Sequence, residues 1–181
     1  MDRYFDVFKM SENFPQALVE VRQDDIRTFP ICPDDFKRLE EKLTVCRSAV
    51  DAVAYVQSFT ERLSQEHALV LYGERQIGSF FVKDYSIAVG NDKSVVFQSE
   101  QLKMAKKTYN KKNGEVVFAH THVAKGQCYN CFSVSDLVFL IKQAHRNKRD
   151  VYGMLISKDG VTPIKYSYSG NEFFRINVEF A

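Results

Sequence analysis

The stretch VVFAHTHVAKGQCYNCFSVSDL, residues 116–137, joins a strand signal to a helix-capping signal through one short loop. The run EVVFAHTH is β-branched and apolar, as a buried strand requires. Side chains two apart in a strand share a face, so His120 and His122 project together with Val116 and Phe118. Ser133 and Asp136 then form an S-x-x-D box ahead of Leu137, Leu140, Ile141 and Ala144, which predicts a helix to about Asn147. Together with the remaining strand and helix signals of the chain, this strand and helix make the sum an α/β sheet with helices packed on it, in one domain.

The rest of the chain carries further alternating signals. HALVLYG reads as a buried strand, IGSFFVKDYSIAV as a longer or broken one, and SVVF as a short one after the Gly90-Asn91-Asp92 turn. DVYGMLIS, VTPIKYSY and EFFRINVEF read as three strands joined by Asp159-Gly160 and Ser169-Gly170 turns. Ser48 and Asp51 predict the capping box of a helix running to about Leu63. A lysine-rich helix is expected over Ser99 to Lys112, stopped by Asn113-Gly114. Residues 1–45 are less regular: ALVEVR reads as a strand and PDDFKRLEEKL as a short helix with Pro33 near its first turn.

At 181 residues the chain suits one domain with one sizeable core. Its net charge of +2 selects no class of partner. No apolar run approaches the ~18 residues a membrane span needs, and MDRYFDVFKM places charges where a secretory signal places apolar residues. A cytoplasmic protein with no membrane partner is expected. Four cysteines do not suggest a disulfide framework.

Two histidines on one strand face supply half a metal site, though H-x-H also arises where one imidazole is merely a hydrogen-bonded core group. Asp136 in the first helical turn adds a carboxylate, and the same spacing also serves as a plain N-cap. Two histidines and one aspartate leave a fourth position for water, the arrangement of a catalytic zinc. Hydrolysis also needs a proton acceptor. Glu66 at the head of EHALVLYG is a candidate, and spacing alone does not select it over Glu61, Glu74 or Glu115.

These elements resemble the JAB/MPN metalloprotease superfamily and its JAMM zinc signature. Glu66 stands seven residues before Gly73, with a buried strand between them. His120-Thr121-His122 and Ser133-Val134-Ser135-Asp136 follow in the family's order. SAVDAVAYVQSFTERLSQEHALVLY and SIAVGNDKSVVFQSEQL are most similar to the RadC-like branch, and the resemblance spans roughly residues 46–157. It implies a single-domain α/β fold, a mixed β-sheet flanked by helices. Residues 46–181 would form the metalloprotease domain; residues 1–45 lie outside the resemblance as an N-terminal extension whose role the sequence leaves open, a substrate-facing or regulatory cover being one option. It also implies one zinc ion per chain on His120, His122 and Asp136, with Glu66 as general base and Ser133 as hydrogen-bond donor to the oxyanion. The implied activity is that of a peptidase or isopeptidase, acting on a protein substrate such as a ubiquitin-like protein or its conjugate.

Ten residues separate His122 from Ser133, a longer loop than the family's, and Val123 stands where the family has proline. The extra residues bring in Cys128 and Cys131. These are ordinary thiols, a redox pair at the mouth of the site, or ligands of a closed His2Cys2 zinc that would leave Asp136 and Glu66 unexplained. The segment Gln101–Lys112 carries five lysines and no acid. It reads as a solvated face, or as a footprint for nucleic acid in a RadC-like DNA role. A non-catalytic MPN scaffold is the remaining reading, and scaffolds have no need to keep a full ligand set.

Overall fold

A computed structural model describes residues 30–61, 65–77, 79–91, 94–123 and 129–180. The elements in chain order are β1 (Pro30–Ile31), a 3-10 turn (Pro33–Asp35), β2 (Lys37–Val45), α1 (Arg47–Glu61), β3 (His67–Gln76), β4 (Ser79–Val89) and α2 (Ser99–Tyr109). They continue with β5 (Gly114–Thr121), β6 (Phe132–Ser133), α3 (Val134–Asn147), β7 (Val151–Ser157), β8 (Gly160–Ser167) and β9 (Glu172–Phe180).

The expected JAB/MPN-like sheet flanked by helices is corrected. Seven strands close into a barrel in the order β2-β4-β3-β5-β7-β8-β9. Closure comes from β2, which pairs in parallel with β4 on one side and with β9 on the other. Helix was expected over PDDFKRLEEKL, and only the turn at Pro33–Asp35 is helical. From Lys37 the chain is strand, because Leu39, Glu41, Leu43 and Val45 alternate inward against partners far along the chain. Tertiary pairing overrides the helical propensity of the Glu, Lys and Leu residues. The last nine residues of the 1–45 segment are therefore a barrel strand, while ALVEVR lies outside the described residues.

Inside the barrel, Leu43, Leu71, Phe80, Val117 and Met154 form one apolar cluster with Ala49, Val53 and Val56 of α1. Glu41 shares this inward side but sits at a charged end. It accepts hydrogen bonds from Tyr152, Arg75 and Lys165, and Arg75 also meets Glu115 at 3.4 Å. Burial is the largest single influence on Glu41 and opposes its charge, yet these three donors together hold its carboxyl below the usual range. On the outside, Val70, Val116 and Phe118 pack against α2 and α3 through Ala105, Leu137 and Ile141.

Three smaller expectations change. α1 begins at Arg47, so Ser48 lies inside the helix and does not cap it. α2 ends at Tyr109, short of Lys112. SVVF forms no strand, having no pairing partner; residues 94–97 run as irregular chain into Gln98, the N-cap of α2. Gly73 is fixed by crowding, since a Cβ there would stand 1.9 Å from the Phe81 carbonyl oxygen where the β3–β4 register shifts. Among the described residues, no helix is long and apolar enough to cross a membrane.

Candidate metal centre

The unit β5–α3–β7 is a crossover between adjacent parallel strands, and the histidines lie at the carboxyl end of its first strand. β5 is flanked by β3 and β7, so its end is held on both sides. Ala68 of β3 pairs with His120, and its methyl group leaves room for the imidazole on the shared face. Just beyond the ladder, the His122 backbone N–H donates to the Ile156 carbonyl at 3.1 Å. The buried Thr121 Oγ1 accepts from the His67 N–H at 2.8 Å, tying the end of β5 to the head of β3.

α3 starts where the local sequence dictates. The Asp136 N–H donates to Ser133 Oγ at 3.2 Å, and the Ser133 N–H donates to Asp136 Oδ2 at 2.8 Å, a reciprocal capping box. That cap also aims the carboxylate at the strand end. Asp136 Oδ2 lies 3.1 Å from His120 Nε2 and 3.3 Å from His122 Nε2, and the two imidazole nitrogens are 3.1 Å apart. Burial is the largest single influence on Asp136 and opposes its charge. The charges and hydrogen bonds of His120 and His122 prevail, and hold its carboxyl well below the usual range.

The three donor atoms form a nearly equilateral triangle. A tetrahedral zinc with bonds of ~2.05 Å requires ligand–ligand edges of about 3.3 Å, so the donor set and its spacing fit the ion. Both Nε2 atoms must then offer lone pairs. The Nδ1 of His122 lies 3.2 Å from the Tyr129 carbonyl oxygen; protonated there, it donates to that carbonyl and leaves Nε2 as the ligand atom. Tyr129 is itself anchored, its hydroxyl donating to Asp159 at 2.6 Å with Lys158 5.1 Å above its ring. Tyr129 therefore sets the orientation of a ligand, a contact that the spacing of the sequence does not reveal.

The other candidates are placed as follows. Ser133 Oγ lies 2.9 Å from Ser135 Oγ and accepts the Asp136 N–H, so its own hydrogen can be turned toward a substrate. Glu66 is buried and held to the neighbouring strand end through backbone bonds with Gly90 and Asn91. It stands one residue before β3, past the last β3–β5 pair Ala68–His120, and is not among the donors that converge with the histidines. Glu115 pairs with Arg75 and Arg149, and Glu74 with Lys83; both belong to ion pairs away from the histidines. Glu61 is exposed at the end of α1.

Among the described residues, only His120, His122 and Asp136 converge as metal donors; Cys131 does not join them. Cys128 lies outside the described residues. The lysines of α2 are exposed, with Ala105 and Thr108 buried on the opposite side, as on a solvated helix. His67 is a core histidine packed 4.8 Å from the Phe59 ring, and burial lowers its pKa.

No protein-family model matches the chain, and no curated protein is significantly similar to it. Among solved structures it is similar to the solution structure of protein DSY2949 from Desulfitobacterium hafniense. The TM-score is 0.45 and the identity 15%, over 77% of this chain and 92% of that one. A likeness that slight carries no argument about this chain.

Proposed function

We propose that the chain is a zinc-dependent peptidase or isopeptidase of the JAMM type, hydrolysing a peptide or isopeptide bond in a protein substrate. The observation that carries this reading is the triangle of His120 Nε2, His122 Nε2 and Asp136 Oδ2, with sides of 3.1–3.3 Å. The site and not the fold supports this activity, since one chemistry recurs on unrelated folds. A structural zinc uses four protein ligands, whereas three protein ligands characterise a catalytic site.

Zinc bound by these residues supplies Lewis-acid polarisation of water and of the scissile carbonyl. Glu66 takes the proton from the attacking water as its oxygen bonds to the carbonyl carbon. The same carboxyl then gives that proton to the amine nitrogen as the C–N bond breaks. Ser133 donates its hydroxyl hydrogen to the carbonyl oxygen as negative charge builds there, an interaction worth ~3 kcal/mol in comparable sites. The Ser133–Asp136 cap holds that donor in place relative to the ligand set. A cytoplasmic location accompanies this reading, and the ubiquitin-like substrates that the resemblance implies are one arm of its test.

The test is an assay of the zinc-loaded protein against ubiquitin-like fusions and unrelated peptides, with and without chelator. Glu66→Gln should lower kcat by about 100- to 10,000-fold with zinc content unchanged. Chelator-insensitive cleavage, or full activity in Glu66→Gln, would sink the mechanism.

A further inference from the structure

A cavity of about 310 Å³ opens directly beside the metal-binding residues, with His120, Asp136 and Ser135 in its wall. The rest of the wall among the described residues is apolar, including Phe97, Phe118, Phe132, Phe139, Leu102 and Leu140. Three of the rings brace one another. Phe97 stacks on Phe139 at 4.6 Å, and Phe118 meets their edges at 5.4 and 5.2 Å. The wall is also anchored from behind. Gln101 at the start of α2 donates to the Ala68 carbonyl at 3.1 Å, and its side-chain oxygen accepts the Gln98 N–H beside Phe97.

We infer that this cavity is the specificity pocket of the site, receiving one bulky apolar side chain of a peptide substrate next to the scissile bond. The inference rests on the metal-site reading above. Its volume lies at the low end for ligand pockets, enough for one large side chain. Its polar groups all sit at the metal end, where the scissile bond must lie. Among the described residues no lysine or arginine lines it, so an acidic side chain would find no cationic side chain there. A charged side chain would lose its hydration among phenylalanines for no partner, since Asp136 is already engaged by both histidines. A glycine at that substrate position would leave the pocket unfilled and gain nothing from it. The pocket therefore selects large apolar side chains over small or charged ones.

The experiment compares two metal-directed probes, N-acetylphenylalanine hydroxamate and N-acetylglycine hydroxamate, by calorimetry on the full-length zinc-loaded protein. Zinc content is measured in parallel. The phenylalanine probe should bind about 10- to 30-fold more tightly, from burial of its side chain. In Phe139→Ala, and in Val96→Trp at the exposed rim, that advantage should fall below about 3-fold with zinc content preserved. Equal affinities in a protein that holds zinc would overturn the pocket assignment and leave the metal site standing. So would displacement of both probes by a short single-stranded oligonucleotide. Failure to take up zinc would overturn the metal reading and this inference with it.

Discussion

The bond between the His67 N–H and Thr121 Oγ1 holds the head of β3, and so Glu66, against the strand end that carries the histidines. Thr121→Val keeps the shape and removes the acceptor. Thr121 is fully buried and the bond is 2.8 Å long, so water cannot replace it without opening the strand ends. A buried donor left unpaired costs about 1–3 kcal/mol. For a chain of this size each kcal/mol lowers Tm by roughly 2–4 °C, which predicts a fall of about 2–12 °C by differential scanning calorimetry. Thr121→Ser, which keeps the oxygen, should recover most of that loss. The ligand atoms are untouched, so zinc content should stay at the wild-type value while kcat falls. A Tm within error of wild type would mean that the His67 N–H finds a backbone acceptor, and the side-chain tie would be refuted.

Two further outcomes follow from neighbouring features. The folded-state pKa of Glu41 lies below its ordinary 4.5, so its stabilising contribution is present above that pH and is lost as pH falls through the lowered value. Glu41→Gln should destabilise the protein by about 1–3 kcal/mol at pH 7, because Arg75 and Lys165 each lose a carboxylate and keep Glu115 and Asp150 as their ion-pair partners. The variant should also unfold with a shallower acid limb below that pH; an unchanged limb in urea titrations would contradict the assignment. Replacing Cys128 and Cys131 together with serine should leave zinc content undiminished by metal analysis, and a halved content would make the thiols ligands.

The parts of the molecule that could be read from its sequence are those whose signals are local. His120 and His122 share a strand face by spacing alone, and Ser133 and Asp136 announce a helix start within four residues. β7, β8 and β9 follow from alternating runs and their turns. β2 is not legible in the sequence because its charged residues and leucines favour a helix locally, while its partners on β9 and β4 lie far away in the chain. Closure of the barrel depends on those same pairings, so it was hidden with them. Glu41 looks like a surface acid until Tyr152, 111 residues further on, is brought against it. SVVF has strand composition and no partner, and it becomes a wall of the apolar cavity instead. Tyr129 orients His122 through a backbone carbonyl, which any residue type supplies and no sequence pattern marks.

The central claim is that His120, His122 and Asp136 hold a catalytic zinc, and metal analysis of the purified protein tests it most directly. The account predicts about one zinc per chain, removed by chelator and lost in His122→Ala and in Asp136→Asn, while Glu66→Gln retains it. A wild-type protein that takes up no zinc, or one that keeps its zinc in both ligand variants, would contradict it.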